Sequence, residues 1–209
     1  GHGSGPRKAH TGVEGAVEAL HWRGRGASMA VSAATFERLA LEDEDGQWEM
    51  VCGRLRRKPD MTMPHNSIAW RIAFALQSQL SIDDFEMRMN SGHANRGDVS
   101  YFIPDVMVLP NAEIEALTGS RSLEAYGGPL PFVAEVWSPS TGEYDVEDKF
   151  PEYKRRGDLE IWRVHPYDRT IIAWRRQADG TYSETIYTTG VVPVESLPGV
   201  SVVLESLFR

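Results

Sequence analysis

The sequence predicts an α/β fold in which a mixed sheet is flanked by helices. Three observations carry that expectation. Short apolar or alternating runs, bounded by Gly, Pro, Asn and Asp, recur along the chain as strands do. Between them, stretches such as Ile68, Ile72, Ala75, Leu76 and Leu80 repeat at helical spacing. At 41% hydrophobic and 25% charged, the 209 residues have an ordinary globular composition, able to bury a sizeable core as one domain.

Residues 1–28 lack a periodic apolar pattern and are rich in Gly and small residues. Gly1 to Ser4 read as an expression scar and Met29 as the natural start. This stretch is expected to be a tag, a disordered segment or an upstream extension, with the folded domain spanning 29–209. From Thr35 to Leu41 the chain reads as a short helix, followed by an acidic loop, Glu42 to Gly46. Trp48 to Leu55 reads as strand, tight turn at Gly53, strand. Asn66 is the expected N-cap of the helix that carries Ile68 and Ile72. Phe85, Met87 and Met89 alternate with Glu86, Arg88 and Asn90 as in a half-buried strand. Tyr101 to Leu109 reads as a further strand, with Pro104 marking an edge, a bulge or a strand start.

A turn-rich stretch, Asn111 to Pro131, leads into the strand Phe132 to Ser138. Asp145 to Arg156 reads as a helix closed by Gly157. Leu159 to Val164 and Thr170 to Arg176 read as strands. Asp179-Gly180 signals a hairpin into Tyr182–Tyr187, and Leu197 to Leu204 closes the domain. Trp48, Trp137, Trp162 and Trp174 fall among apolar neighbours and read as core.

The net charge is −8. Setting aside 1–28, which hold four basic and two acidic residues, leaves −10 for the folded part. That balance argues against high-affinity non-specific binding of duplex DNA, which counterion release drives through basic surfaces. It leaves room for a nuclease, because metal-binding carboxylates add to the negative total. The basic runs Arg54, Arg56, Arg57, Lys58 and Lys154, Arg155, Arg156 read as solvated faces. The single cysteine, Cys52, fits a cytoplasmic location and reads as a small packed residue. His65, His93 and His165 are too scattered for a zinc signature. No apolar run approaches membrane-spanning length.

Two carboxylates stand out because they interrupt apolar strands: Asp105 within Tyr101–Leu109, and Glu135 within Phe132–Trp137. An ionised carboxylate in such a place costs several kcal/mol unless it is paired or bound to a cation. Hard oxygen ligands select Mg²⁺ or Mn²⁺, which take one or two carboxylates plus waters and substrate phosphate. Pairing of each acid with an arginine at a sheet edge is the other reading of the same pattern.

Pro104-Asp105, Glu135-Val-Trp, and Asp145, Lys149, Tyr153 and Gly157 occur in an order that resembles the Uma-type family of putative restriction endonucleases, within the PD-(D/E)xK superfamily. The resemblance spans about residues 33–209. It also takes in Trp48-Glu-Met-Val-x-Gly-Arg-Leu, His65 before a helix, Glu160-Ile-Trp-Arg-Val and the closing Leu-Pro-Gly. It implies a restriction-endonuclease-like architecture. It further implies Asp105 and Glu135 as metal-binding acids, and Glu49 as a third acid that completes the metal shell or orients a water. The superfamily lysine usually stands two residues after the second acid, where this chain has Trp137. The resemblance assigns that role to Lys149 on the following helix. Asp145, one helical turn earlier, is expected to hold the Lys149 ammonium, and Tyr153 continues the stripe. His65 matches a recurrent histidine of open role. Cys52 and His165 stand where the family commonly has acids. Pro151 lies inside the helix, where its missing N–H is tolerated only in the first turn. A helix starting at Asp148 would turn Lys149 elsewhere.

The expected activity is Mg²⁺- or Mn²⁺-dependent hydrolysis of phosphodiester bonds in DNA, by a homodimer, since cutting two strands calls for symmetry-related sites. The alternative is a nuclease fold kept as a catalytically inactive binding or assembly module. A metal-free hydrolase built on His65 lacks a nucleophile at matching spacing.

Overall fold

The computed structural model describes residues 30–209; the expected extension at 1–28 lies outside them. The first helix, α1 (Ala33–Glu42), is capped by Ser32, whose hydroxyl accepts from Thr35 N at 3.2 Å. Strands β1 (Gln47–Val51) and β2 (Arg54–Lys58) form a hairpin through Cys52 and Gly53. Both turn residues have positive φ, 48° and 76°, as the tightest hairpin turns require. The two-residue turn sets the register: Val51 faces Arg54, Glu49 faces Arg56, and Gln47 faces Lys58.

Helix α2 (Met63–Gln77) begins at Thr62 rather than at the expected cap Asn66, whose own N–H already bonds to the Thr62 carbonyl. Pro64 explains the earlier start, since its fixed φ suits the first turn, where an N–H has no helical partner. Strands β3 (Phe85–Met89), β4 (His93–Arg96), β5 (Ser100–Phe102) and β6 (Val106–Pro110) follow. The single strand expected over 101–109 is therefore two. The chain leaves β5 in one sheet and enters β6 in the other across Ile103-Pro104-Asp105. Proline cannot donate to a ladder, so pairing breaks there. Asp105 thus lands at the seam between sheets.

A short helix α3 (Asn111–Glu115) and strand β7 (Ala125–Tyr126) lead to β8 (Phe132–Val136). The helix expected over 145–156 is longer and composite. It consists of α4 (Gly142–Tyr144), a π-helical turn (Asp145–Lys149) and α5 (Phe150–Arg156), ending at Gly157 with φ 79°. Strands β9 (Glu160–His165), β10 (Thr170–Arg176) and β11 (Tyr182–Tyr187) form a meander. Then come β12 (Val191–Pro193), β13 (Ser201–Val203) and α6 (Leu204–Leu207).

The predicted mixed α/β character holds, with the strands divided between two mixed sheets and a small pair. One sheet runs β2-β1-β5-β4-β7, the other β11-β10-β9-β8-β6-β3, and β12 pairs with β13. Each larger sheet carries one parallel pair, β4 with β7 and β8 with β9. Strands β6 and β8 are buried on both faces. Val106, Val108 and Ala134 pack under α2 with Ile68 and Ile72, while Met107, Leu109 and Val133 meet Phe102 and Tyr153. Trp162 is in the core as expected, whereas Trp48, Trp137 and Trp174 are half-buried. No described helix is long and apolar enough to cross a membrane.

Candidate active site

Strands β6 and β8 run antiparallel with Val106 opposite Ala134, so one step further along the register brings Asp105 beside Glu135. The structure thus brings together the two acids singled out by their apolar surroundings. Asp105 Oδ2 accepts from Val136 N at 2.8 Å and lies 2.9 Å from His65 Nε2, while Oδ1 lies 3.0 Å from Lys58 Nζ. Glu135 Oε1 accepts from Lys149 Nζ at 3.1 Å and from the Tyr153 hydroxyl at 2.5 Å. From β1 of the other sheet, Glu49 Oε1 accepts from Ile103 N at 2.8 Å and pairs with Lys149 Nζ at 2.9 Å. Both ammonium groups also donate to the Ile103 carbonyl, at 2.8 Å from Lys58 and 3.2 Å from Lys149. The strand break before Pro104 therefore supplies a backbone oxygen as well as a carboxylate. None of these ionisable side chains is in a residue more than 8% exposed.

Lys149 reaches the site because of the π-helical turn. The Phe150 N–H bonds to the Asp145 carbonyl, five residues back, in a wider ring than an α-helix has. Pro151 then falls in the first turn of α5, where its missing donor is harmless. Asp145 and Lys149 are both buried and both face one narrow recess. Asp145 does not make the expected direct pair with Lys149; the ammonium goes to Glu135 and Glu49 instead. Trp137, two residues after Glu135, packs against the start of α4. A Cβ on Gly142 would lie 2.0 Å from the Trp137 indole nitrogen, so the start of α4 is pressed against that ring.

Charge density shapes the titration of these groups. Burial pushes the Asp105 carboxyl up, but Lys58, His65 and Lys149 outweigh it and hold it well below the usual carboxylate range. Glu49 is likewise lowered, as Lys149, Lys58 and the Ile103 N–H prevail over burial. Glu135 goes the other way: burial, aided by Asp105 and Asp145, raises it well above its ordinary value despite Lys149. Asp145 is pushed up to about 6 by burial and by Asp105 and Glu49, against the pull of Lys149. Burial alone would lower Lys149, yet Glu135, Glu49 and Asp145 hold it well above its ordinary value.

The sequence profile of a family described as "Putative restriction endonuclease", Uma2, matches residues 33–205, most of the chain. The chain belongs to the Uma2 family. Its fold is also that of a crystal structure titled as a putative nuclease belonging to DUF820 from Anabaena variabilis. The two superpose with a TM-score of 0.70 at 17% identity, over 85% of this chain and 97% of that one. No curated protein matches.

In this Uma2-family chain, four buried carboxylates, Glu49, Asp105, Glu135 and Asp145, face two buried ammonium groups, Lys58 and Lys149, and the half-buried Arg56 guanidinium. That excess of acid suits a divalent cation, which would also relieve the repulsion that helps raise Glu135 and Asp145, and an all-oxygen donor set suits Mg²⁺ or Mn²⁺. Among the described residues, no three of His, Cys, Asp and Glu converge as a ready-made metal cage. That is compatible with a cation held by one or two carboxylates and otherwise by water and phosphate.

Three charged or aromatic residues of the recess were not singled out by the sequence. Lys58, read as part of a solvated run, is buried on Asp105, and Arg56 of the same run sits 3.4 Å over the Tyr144 ring. Their signal lay in the hairpin. A two-residue turn puts Arg56 opposite Glu49, and Lys58, two residues on, shares that face. The run at Lys154–Arg156 needs a similar correction, because Arg156 is buried against Asp158 at 3.1 Å. Tyr144 carried no such signal; it lies in α4, immediately before the π-helical turn.

Proposed function

We propose that this protein is a divalent-cation-dependent phosphodiesterase acting on nucleic acid. The observation that carries the reading is the surplus of buried carboxylate at the seam between the two sheets. Four acids against Lys58, Lys149 and Arg56 leave acid in excess, which a cation would neutralise. The family's description as restriction endonucleases supports DNA as the substrate and cleavage within the chain.

In this reading Asp105 and Glu135 hold Mg²⁺ or Mn²⁺, and Glu49 completes its shell or orients a water. The bound cation supplies positive charge to the scissile phosphate and acidifies the attacking water. Lys149, fixed between Glu135 and Glu49, stabilises negative charge developing on the phosphoryl oxygens. Tyr153 fixes Glu135 by donating to it, and Lys58 and His65 fix the orientation of Asp105. Glu135 and Glu49 hold the Lys149 ammonium in its charged form, and Asp145 adds to this through its field rather than by contact. In this reading the chain acts as a homodimer with two symmetry-related sites.

The test is cleavage of end-labelled oligonucleotides, duplex and single-stranded, with Mg²⁺, Mn²⁺ or EDTA. The wild type cleaves only with metal, and Asp105→Ala, Glu135→Ala and Lys149→Ala each lose on the order of a hundredfold or more. Cleavage that survives EDTA or Asp105→Ala contradicts the proposal. One observation favours a second reading, an inactive module on the same fold: Asp105 and Glu135 already have ammonium partners. That reading predicts no cation binding and no cleavage of any nucleic acid.

A further inference from the structure

We infer that a nucleic acid strand leaves the active-site recess along the outer face of α2, with an unpaired base seated against Trp70. The inference rests on the proposed nuclease reading and deepens it, naming single-stranded or locally unpaired nucleic acid as the substrate class.

The outer face of α2 is apolar where a solvent face should be polar. Met63 is 73% exposed, Trp70 55% and Phe74 60%. The Trp70 and Phe74 rings stack on each other, with centroids 5.3 Å apart and planes 13° from parallel. Helical side chains lean toward the N-terminus, so Phe74 backs onto Trp70, and Trp70 in turn leans toward the start of the helix. That is the end at which His65 enters the active site.

A cleft lies in front of Trp70, walled also by Met61, Met63 and Asn66. Met61 is shared with the wall of the active-site recess, so the two hollows are contiguous across one side chain. On its other side the cleft shares Met63, Ser67 and Arg71 with a second recess, which Tyr167 and Arg169 help to line. Backbone carbonyls anchor both guanidinium groups: Arg71 donates to Leu207 O at 2.9 Å, and Arg169 donates to Phe208 O at 2.8 Å. Among the described residues neither pairs with a carboxylate. Each guanidinium keeps further donors, in a planar fork suited to phosphate.

An acidic site followed by an aromatic platform and then two arginines is a track for a strand, not for a duplex. The π-face of a base reaches an indole only when the base is unpaired, and such stacking tolerates any sequence. A second copy of this chain is the competing occupant. A two-fold contact centred on Trp70 would bring the two Arg71 guanidinium groups together, which disfavours it.

The experiment measures binding of the full chain to labelled oligo(dT), oligo(rU) and a DNA duplex of equal length, with Ca²⁺ in place of Mg²⁺. Mn²⁺ affinity without nucleic acid and mass by light scattering are measured alongside. Single strands should bind more tightly than duplex, and the two homopolymers report which sugar is preferred. Trp70→Ala should weaken single-strand binding roughly ten- to a hundredfold, Trp70→Phe should retain most of it, and Mn²⁺ affinity should not move. If Trp70→Ala leaves single-strand binding unchanged, or the duplex binds more tightly, this inference fails while the nuclease reading stands. If no nucleic acid binds, both fail. If Trp70→Ala converts a dimer to a monomer, the platform is a subunit interface and the inference fails.

Discussion

Asp145 is the acid whose place in the recess is costliest. It is buried, Asp105 and Glu49 repel its charge, and the ammonium groups of Lys149 and Lys58 are engaged by other carboxylates. Its carboxyl is raised to about 6, so at pH 7 the folded state bears a charge that the unfolded state carries more easily. Removing that charge should therefore stabilise the metal-free protein. In EDTA at pH 7, Asp145→Asn should gain on the order of 1–3 kcal/mol in thermal or urea unfolding. The same variant should gain less than the wild type on adding Mn²⁺. Lower stability than wild type in EDTA would contradict the charge surplus. Among single residues, Asp105 and Glu135 were legible in the sequence because a carboxylate in an apolar run demands an explanation. Lys58 was not, because a lysine beside three arginines looks like a solvated face until the hairpin register is applied.

At the scale of elements, the segment from Gly142 to Arg156 decides whether a lysine reaches the acids. Three features fix its path: Gly142 against Trp137, the π-helical turn, and Pro151 opening α5. Gly142→Ala forces a Cβ into the Trp137 indole edge, which one side must yield to. Overpacking of that kind costs about 1–3 kcal/mol. We expect Gly142→Ala to lower stability by that amount and to weaken Mn²⁺ binding as Asp145 and Lys149 shift. An unaltered Mn²⁺ affinity would show that the recess does not depend on this contact. The helix and its glycine end were legible from spacing and from Gly157. The π-helical turn was not, since nothing in Asp145–Lys149 distinguishes a five-residue ring from a four-residue one. Likewise β4, His93–Arg96, has no apolar alternation, and its strand character comes from pairing with β5 and β7.

Across the whole molecule, the site exists only because two sheets meet. Glu49 and Lys58 come from the five-stranded sheet, and Glu135 from the six-stranded one. Asp105 sits on the crossing between them. Away from the recess, Arg96 of β4 and Arg155 both pair with Glu152 on α5, and the Arg96 pair bridges β4 to that helix. Burial raises the Glu152 carboxyl, but the hydrogen bonds from Arg96 and Arg155 prevail and lower it below its ordinary 4.5. A depressed carboxyl contributes stability above its unfolded value, and that contribution is lost as pH falls through the lower folded value. Glu152→Gln should therefore destabilise the protein at pH 7 by about 1 kcal/mol, and the difference from wild type should shrink below pH 4.5. A difference that is constant with pH would remove the ion pairs from the account. The mixed α/β class was legible from composition and periodicity. The division into two sheets turned on one proline, Pro104, which was read as a possible strand start without showing which sheet each half joins.

The central claim, that the acids at this seam hold a divalent cation, is tested most directly by calorimetric titration with Mn²⁺. The wild type and Asp105→Ala are each titrated, alone and with an oligonucleotide whose phosphates resist hydrolysis. The account predicts a saturable site in the wild type that tightens with the oligonucleotide and disappears in Asp105→Ala. Absence of Mn²⁺ binding by the wild type even with the oligonucleotide present, or equal binding by the variant, would contradict it.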